Sequence, residues 1–252
     1  MMKGLKLPAR PAKPRTTGLT LITDVGLSIP QVQAILGDYA DYLDVAKFGV
    51  GSAYLTPRLE DKIAVYREFG VPVYFGGTLF EKFVHQKSLP TYIDEVKRHG
   101  ITWVEVSNGT IELPLEERLA IVKELREEFN VLAEVGYKDN AKIMSNQKWI
   151  DEIGAMLEAG CKYVIAEGRD SGTAGMYRPN GELKKELVMD IIEHFDASRL
   201  IFEAPTQSSQ MYFINRLGPQ VNLGNVSPND LLILECERVG LRCETFFSHE
   251  GR

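Results

Sequence analysis

Beyond residue 17 the chain repeats one hydropathic pattern: a short β-branched-rich apolar run, a polar or glycine-bearing loop, an amphipathic stretch and a stop signal. The apolar runs are "GLTLIT" from Gly18, "YLDVAKFG" from Tyr42, "VPVYF" from Val71 and "ITWVEVS" from Ile101. They continue as "VLAEVG" from Val131, "KYVIAEG" from Lys162, "RLIFEAP" from Arg199 and "QVNLGN" from Gln220, which makes eight predicted strands.

Helix punctuation fills the intervals. Ser28 with Pro30 and Gln31, Thr56 with Pro57, and Ser227 with Pro228 provide N-caps and first-turn prolines. Gly70, Gly100, Gly160, Gly218 and Gly240 fall where a left-handed residue ends a helix. In "LPLEERLAIVKELREEFN", Leu115, Leu119, Val122 and Leu125 recur at helical spacing with charges between them. Strands joined by helices are parallel, because parallel neighbours need such crossovers. Eight units predict a (β/α)8 TIM barrel over residues 18–252, one domain, preceded by a flexible arm at residues 1–17. A doubly wound open sheet is the alternative, but no G-x-G-x-x-G follows the first strand.

Four consecutive strands carry a glutamate near their C-terminal ends: Glu105, Glu134, Glu167 and Glu203. The first two strands add Asp24 and Lys47. A buried acid is costly unless it is compensated, and barrels build their active sites at this end of the sheet. Acids there can hold a hard cation that takes oxygen ligands and keeps several waters. One such acid alone would read as an ion-pair member or a cap; four in equivalent places read as a site. Lys47 is either an inward salt-bridge partner or a substrate contact, and Lys138 either a solvated loop lysine or a site cation. Arg169 suits bidentate anion recognition. Gly76 and Gly77, Ser107 and Asn108, and Gly224 and Asn225 lie in loops where small residues let backbone approach an anion.

Composition narrows the partners. Of 252 residues, 44% are hydrophobic and 25% charged, and the formal charge of −6 offers no basic surface for nucleic acid or an anionic membrane. Three cysteines without a C-x-x-C pair argue against a disulfide framework or a zinc site and for a reducing, cytoplasmic setting. No uncharged apolar run approaches membrane-spanning length. His85, His99, His194 and His249 lack strand-end placement and read as surface or packing residues.

Together "RTTGLTLITDVGL", "DVAKFGVGS", "FGGTLFEKF", "VEVSNGT", "EVGYKD", "VIAEGRDSGTAG", "IFEAPTQSSQ" and "VNLGN" resemble the phosphosulfolactate synthase family, over residues 15 to about 245. The resemblance implies a barrel enzyme that adds sulfite to phosphoenolpyruvate with Mg2+, giving (2R)-3-phosphosulfolactate for coenzyme M biosynthesis. It implies Lys138 as the general acid, and Glu105, Glu134 and Glu167 around the metal, with Asp24 as a fourth. Arg15, Lys47 and Arg169 become anion contacts, and Glu203 joins the substrate-binding set with the loop residues above. Such barrels often associate, so a homo-oligomer is expected.

The chain departs from the family pattern at Val50, where a tryptophan is usual, and at Ser52, where a threonine is usual. Gln207 stands in place of a lysine and Ser209 in place of a glutamine. Loss of a cation at the seventh strand tip is expected to weaken anion binding. Two alternatives follow: an aldolase-like barrel using Lys47 or Lys138 as a Schiff base, and a non-catalytic binding or stress-related member of the family.

Overall fold

In the computed structural model, which describes residues 4–248, every predicted apolar run overlaps a strand. These are β1 (Thr20–Asp24), β2 (Val45–Phe48), β3 (Val73–Phe75), β4 (Trp103–Val106), β5 (Asn130–Val135), β6 (Tyr163–Ala166), β7 (Leu200–Glu203) and β8 (Leu223–Val226). The strands are short and almost wholly buried, as expected of parallel strands covered by helices outside and packed side chains within.

The helices are α1 (Ile29–Tyr39), α2 (Ser52–Leu55), α3 (Leu59–Glu68), α4 (Gly77–His85), α5 (Leu89–Arg98), α6 (Leu115–Leu125), α7 (Asn146–Ala159), α8 (Lys185–His194), α9 (Gln207–Leu217) and α10 (Leu231–Arg238). Ser28 caps α1 in a capping box with Gln31. Gly70, Gly100, Gly160, Gly218 and Gly240 all have positive φ just past helix ends. Thr56 does not open a helix: it ends α2, and α3 begins at Leu59.

The sheet runs β3-β2-β1-β8-β7-β6-β5-β4, all parallel, so β3 and β4 meet at a seam that completes a (β/α)8 TIM barrel. The Gly77 N–H donates to Glu105 Oε1 at 2.6 Å across that seam. Outside the ring, Phe202 stacks on Phe213 of α9 at 4.7 Å, and Trp149, Ile153 and Met156 of α7 are buried. Opposite the mouth, the buried Arg238 donates to the carbonyls of Pro219, Val221 and Leu19 and plugs the floor.

Within the segment expected to be a flexible arm, the stretch from Arg10 to Arg15 lies against that floor. Arg10 pairs with Glu235 at 2.8 Å, and Lys13 donates to the Ala40 carbonyl at 2.9 Å and to that of Leu43. Arg15 pairs with Asp44, just ahead of β2, at 2.8 Å, and Asp44 also accepts the Thr20 N–H. Arg15 therefore sits at the N-terminal end of the strands, away from the mouth, and is removed from the substrate-binding set.

Candidate active site

A cavity of about 490 Å³ opens at the C-terminal ends of the strands. Lys47, Glu105, Glu134, Lys138, Glu167, Arg169, Glu203 and Asn225 line it, with Gly76 and Gly77 where α4 begins. The strand-end glutamates thus share one mouth, which answers why four buried strands each carry an acid.

Lys138 stands among the acids. Its Nζ lies 2.6 Å from Glu134, 3.4 Å from Glu167 and 3.7 Å from Glu81. Burial opposes its charge, but Glu134, Glu167, Glu105 and Glu81 together raise its pKa well above the usual lysine value. Lys47 pairs with Glu203 at 3.0 Å, and its pKa is also raised, the acids outweighing burial. Glu203 uses its second oxygen to accept the Gly168 N–H at 2.9 Å.

The acids are not equivalent. Burial, then the charge of Glu134, pushes Glu105 up to about 8. Glu134 is drawn down to about 2, because Lys138 and a hydrogen bond from Glu167 outweigh its burial. Burial and Glu134 raise Glu167 well above the usual carboxylate range. Crowding thus splits the set, drawing Glu134 toward its charged form and pushing Glu105 and Glu167 toward their neutral forms.

Asp24 is not part of this set. Thr23 faces the mouth and donates to Asn225 Oδ1 at 2.7 Å; one residue later, Asp24 points outward. There it pairs with buried Lys62 at 2.7 Å and accepts from the Tyr66 hydroxyl and the Gly26 and Leu27 N–H groups. Its lone pairs are occupied by structural partners, so it is withdrawn as a metal ligand. Asn108 likewise turns away: its Oδ1 accepts from Arg118 at 3.0 Å, and Arg118 pairs with Glu152. Gly224 lies within β8 against Ile201 and does not line the mouth. Ser107 lies just beneath it, with its hydroxyl 2.6 Å from Glu134 and 2.5 Å from Glu81.

Arg169 holds a left-handed φ of 61° at the rim, with its side chain half exposed. Gln207 is not at the mouth. Its amide nitrogen donates to Asp230 at 3.1 Å and its oxygen accepts from Arg242 at 2.8 Å. Ser209 belongs to the cap of α9 with Thr206. Val50, by contrast, is on the rim and 62% exposed. His249 lies outside the described residues.

Among the described residues no three histidine, cysteine, aspartate or glutamate side chains form a metal-holding group. Two buried oxygens of the mouth, Glu105 Oε2 and Glu167 Oε2, nevertheless have no hydrogen-bond partner. Glu167 Oε2 lies 3.4 Å from the Lys138 ammonium, so a hard cation here would share these oxygens with the lysine, keep its waters and bind the substrate anion, rather than be caged by protein alone.

Glu81 escaped sequence reasoning, which looked for acids on strands. It belongs to α4 and is 2% exposed. The available signal was its spacing, one helical turn after Gly77, which opens on the mouth.

Among the described residues no helix is long and apolar enough to cross a membrane. The crystal structure of 3-hexulose-6-phosphate synthase from Salmonella typhimurium superposes with a TM-score of 0.53, covering 91% of this chain and 99% of that one at 14% identity, a likeness of fold. A phosphosulfolactate synthase of Bacillus subtilis is 41% identical over 96% of this chain and 98% of its own length. One from Methanothermobacter thermautotrophicus is 36% identical over 94% of this chain and 95% of its own length. The family model for (2R)-phospho-3-sulfolactate synthase matches residues 8–244, and the chain belongs to that family.

Proposed function

We propose that this mouth adds sulfite to phosphoenolpyruvate and that Lys138 delivers the proton that completes the reaction. The observation that carries the reading is the Lys138 ammonium, held in its charged form by Glu134, Glu167 and Glu81 inside the cavity of a phosphosulfolactate synthase-family barrel. The sulfur lone pair of sulfite attacks the methylene carbon, and the double-bond electrons move onto the neighbouring carbon and its carboxylate. Lys138 then protonates that carbon as general acid. Sulfite dianion brings no proton, so each turnover draws one from the protein.

Lys47 and Arg169 supply positive charge for the anionic substrates, and the first N–H groups of α4 lie along the same wall. Glu203 holds Lys47 in place. Mg2+ would be held by Glu105, Glu134 and Glu167, its charge favouring their ionised forms, and would supply Lewis-acid stabilisation of the charge on the substrate carboxylate. A Schiff-base reaction needs a neutral amine, and the acids around Lys47 and Lys138 oppose that form. The non-catalytic alternative leaned on Gln207, which is engaged away from the cavity, and on Val50, which stands at its rim.

The test is product formation from phosphoenolpyruvate and sulfite, followed by phosphate-ester chromatography with and without chelator. Activity is expected to require Mg2+ and to fall about 10²- to 10⁴-fold in Lys138→Ala. Undiminished turnover in that variant removes Lys138 from the mechanism.

A further inference from the structure

Glu81 is a carboxylate in the wrong kind of place. It is buried in a helix, faces other acids, and is paired at hydrogen-bond distance with no cationic side chain; Lys138 stands 3.7 Å off. What it does bind is one loop. Oε1 accepts the Ser107 hydroxyl at 2.5 Å and the Gly109 N–H at 3.0 Å. Oε2 accepts the N–H groups of Thr110 at 2.7 Å and Ile111 at 3.0 Å. Four donors from residues 107–111 come close to the capacity of a carboxylate, so this single side chain fixes the loop that follows β4.

That loop is the shelf on which Lys138 lies. The Gly109 carbonyl accepts the Lys138 N–H at 3.2 Å. A β-carbon on Gly109 would fall 2.9 Å from Lys138 Cγ, Cδ and Nζ, so the lysine stem runs flat across bare backbone. At its tip, the Lys138 ammonium donates to Ser107 Oγ at 3.5 Å. The residue that carries the reactive ammonium is on the loop after β5, yet the surface that aims it is held from α4, two strands away.

We propose that Glu81 is a positioning residue for Lys138, acting through the shelf formed by residues 107–111. This rests on the reading of Lys138 as the general acid. A tilt of the shelf moves the ammonium relative to the carbon it protonates while leaving Lys47, Arg169 and the rest of the anion-binding wall in place. Displacements of this kind cost chemistry more than binding.

The test is a double-mutant cycle read in kcat and KM separately. Glu81→Gln keeps the shape, sets amide hydrogens against backbone N–H donors and removes one charge 3.7 Å from Lys138. Gly109→Ala leaves every Glu81 hydrogen bond intact and pushes the lysine off its shelf directly. Each is expected to lower kcat about 10-fold or more, with KM for both substrates changed less than threefold. The double variant is expected to be no slower than the worse single one, because both act through one lysine. Multiplying losses, a loss carried by KM, or unchanged kcat in Glu81→Gln overturns the proposal. Should Glu81→Gln fail to fold, Gly109→Ala combined with Lys138→Arg runs the same cycle for the shelf, and multiplying losses overturn it there too. Absence of product from the unaltered protein instead overturns the parent reading, which keeps the two failures apart.

Discussion

Lys47 and Glu203 meet at 3.0 Å across the inside of the barrel, joining β2 to β7, strands separated by β1 and β8 in the ring. Both side chains are almost fully buried. Removing one partner of such a pair leaves a charge in a medium that solvates it poorly, which costs about 3–5 kcal/mol. Lys47→Ala is therefore expected to lose about that much stability, and the double variant with Glu203→Gln to recover part of it. Urea unfolding of the set measures this, and equal stability of the single variant and the parent would contradict the buried-pair assignment.

Asp24 and Lys62 form a second buried pair, outside the ring rather than within it. The contrast with Glu105 and Glu167, two of the acids proposed to hold Mg2+, gives a way to test that assignment. Asp24→Asn is expected to lower stability by about 3 kcal/mol while leaving the Mg2+ concentration for half-maximal rate unchanged. Glu167→Gln is expected to raise that concentration at least about 10-fold. A Mg2+ titration of both variants decides the matter; a shifted midpoint for Asp24→Asn would return that residue to the metal site.

These two pairs show where sequence reading succeeds and where it stops. Parallel strands covered on both faces read as apolar runs, and glycine at a helix end marks a left-handed residue, so eight strands and five helix stops are visible in the chain. Which way a strand-end acid points is not visible. Thr23 and Asp24 differ by one position, and that step sends one side chain into the mouth and the other to α3. Arg15 is close to β1 in sequence, yet it precedes the strand and so lands at the opposite end from the site. Gln207 follows a strand tip but begins α9, where its partners are Asp230 and Arg242. Glu81 lies in a helix, and only the fold brings that helix across the seam to the loop after β4.

Glu237 offers a pH dependence far from the mouth. It is fully buried on α10, and burial pushes it up to about 7 despite its 2.6 Å pair with Arg242. Because its folded value lies above the ordinary 4.5, the folded state holds the extra proton between these values. The stability this proton provides is complete below about 4.5 and is lost as pH rises through about 7. Glu237→Gln removes the titrating group. Its thermal midpoint is expected to fall less than that of the parent between pH 5 and pH 8, and parallel pH profiles would count against the assignment.

Val50 carries backbone strain at the rim. Its φ of 46° and ψ of 28° are left-handed, a region that β-branched residues occupy at a cost of about 1–2 kcal/mol. It is 62% exposed, so little packing offsets that cost. Glycine adopts the same angles freely but loses about 0.5–1 kcal/mol more conformational freedom on folding. The difference favours Val50→Gly by up to about 1.5 kcal/mol, which should appear as a higher thermal midpoint. The substitution removes only a rim side chain, so any change in rate is expected in KM rather than in the proton transfer. A lower midpoint in Val50→Gly would mean that the exposed valine is covered in solution by contacts beyond those within one chain.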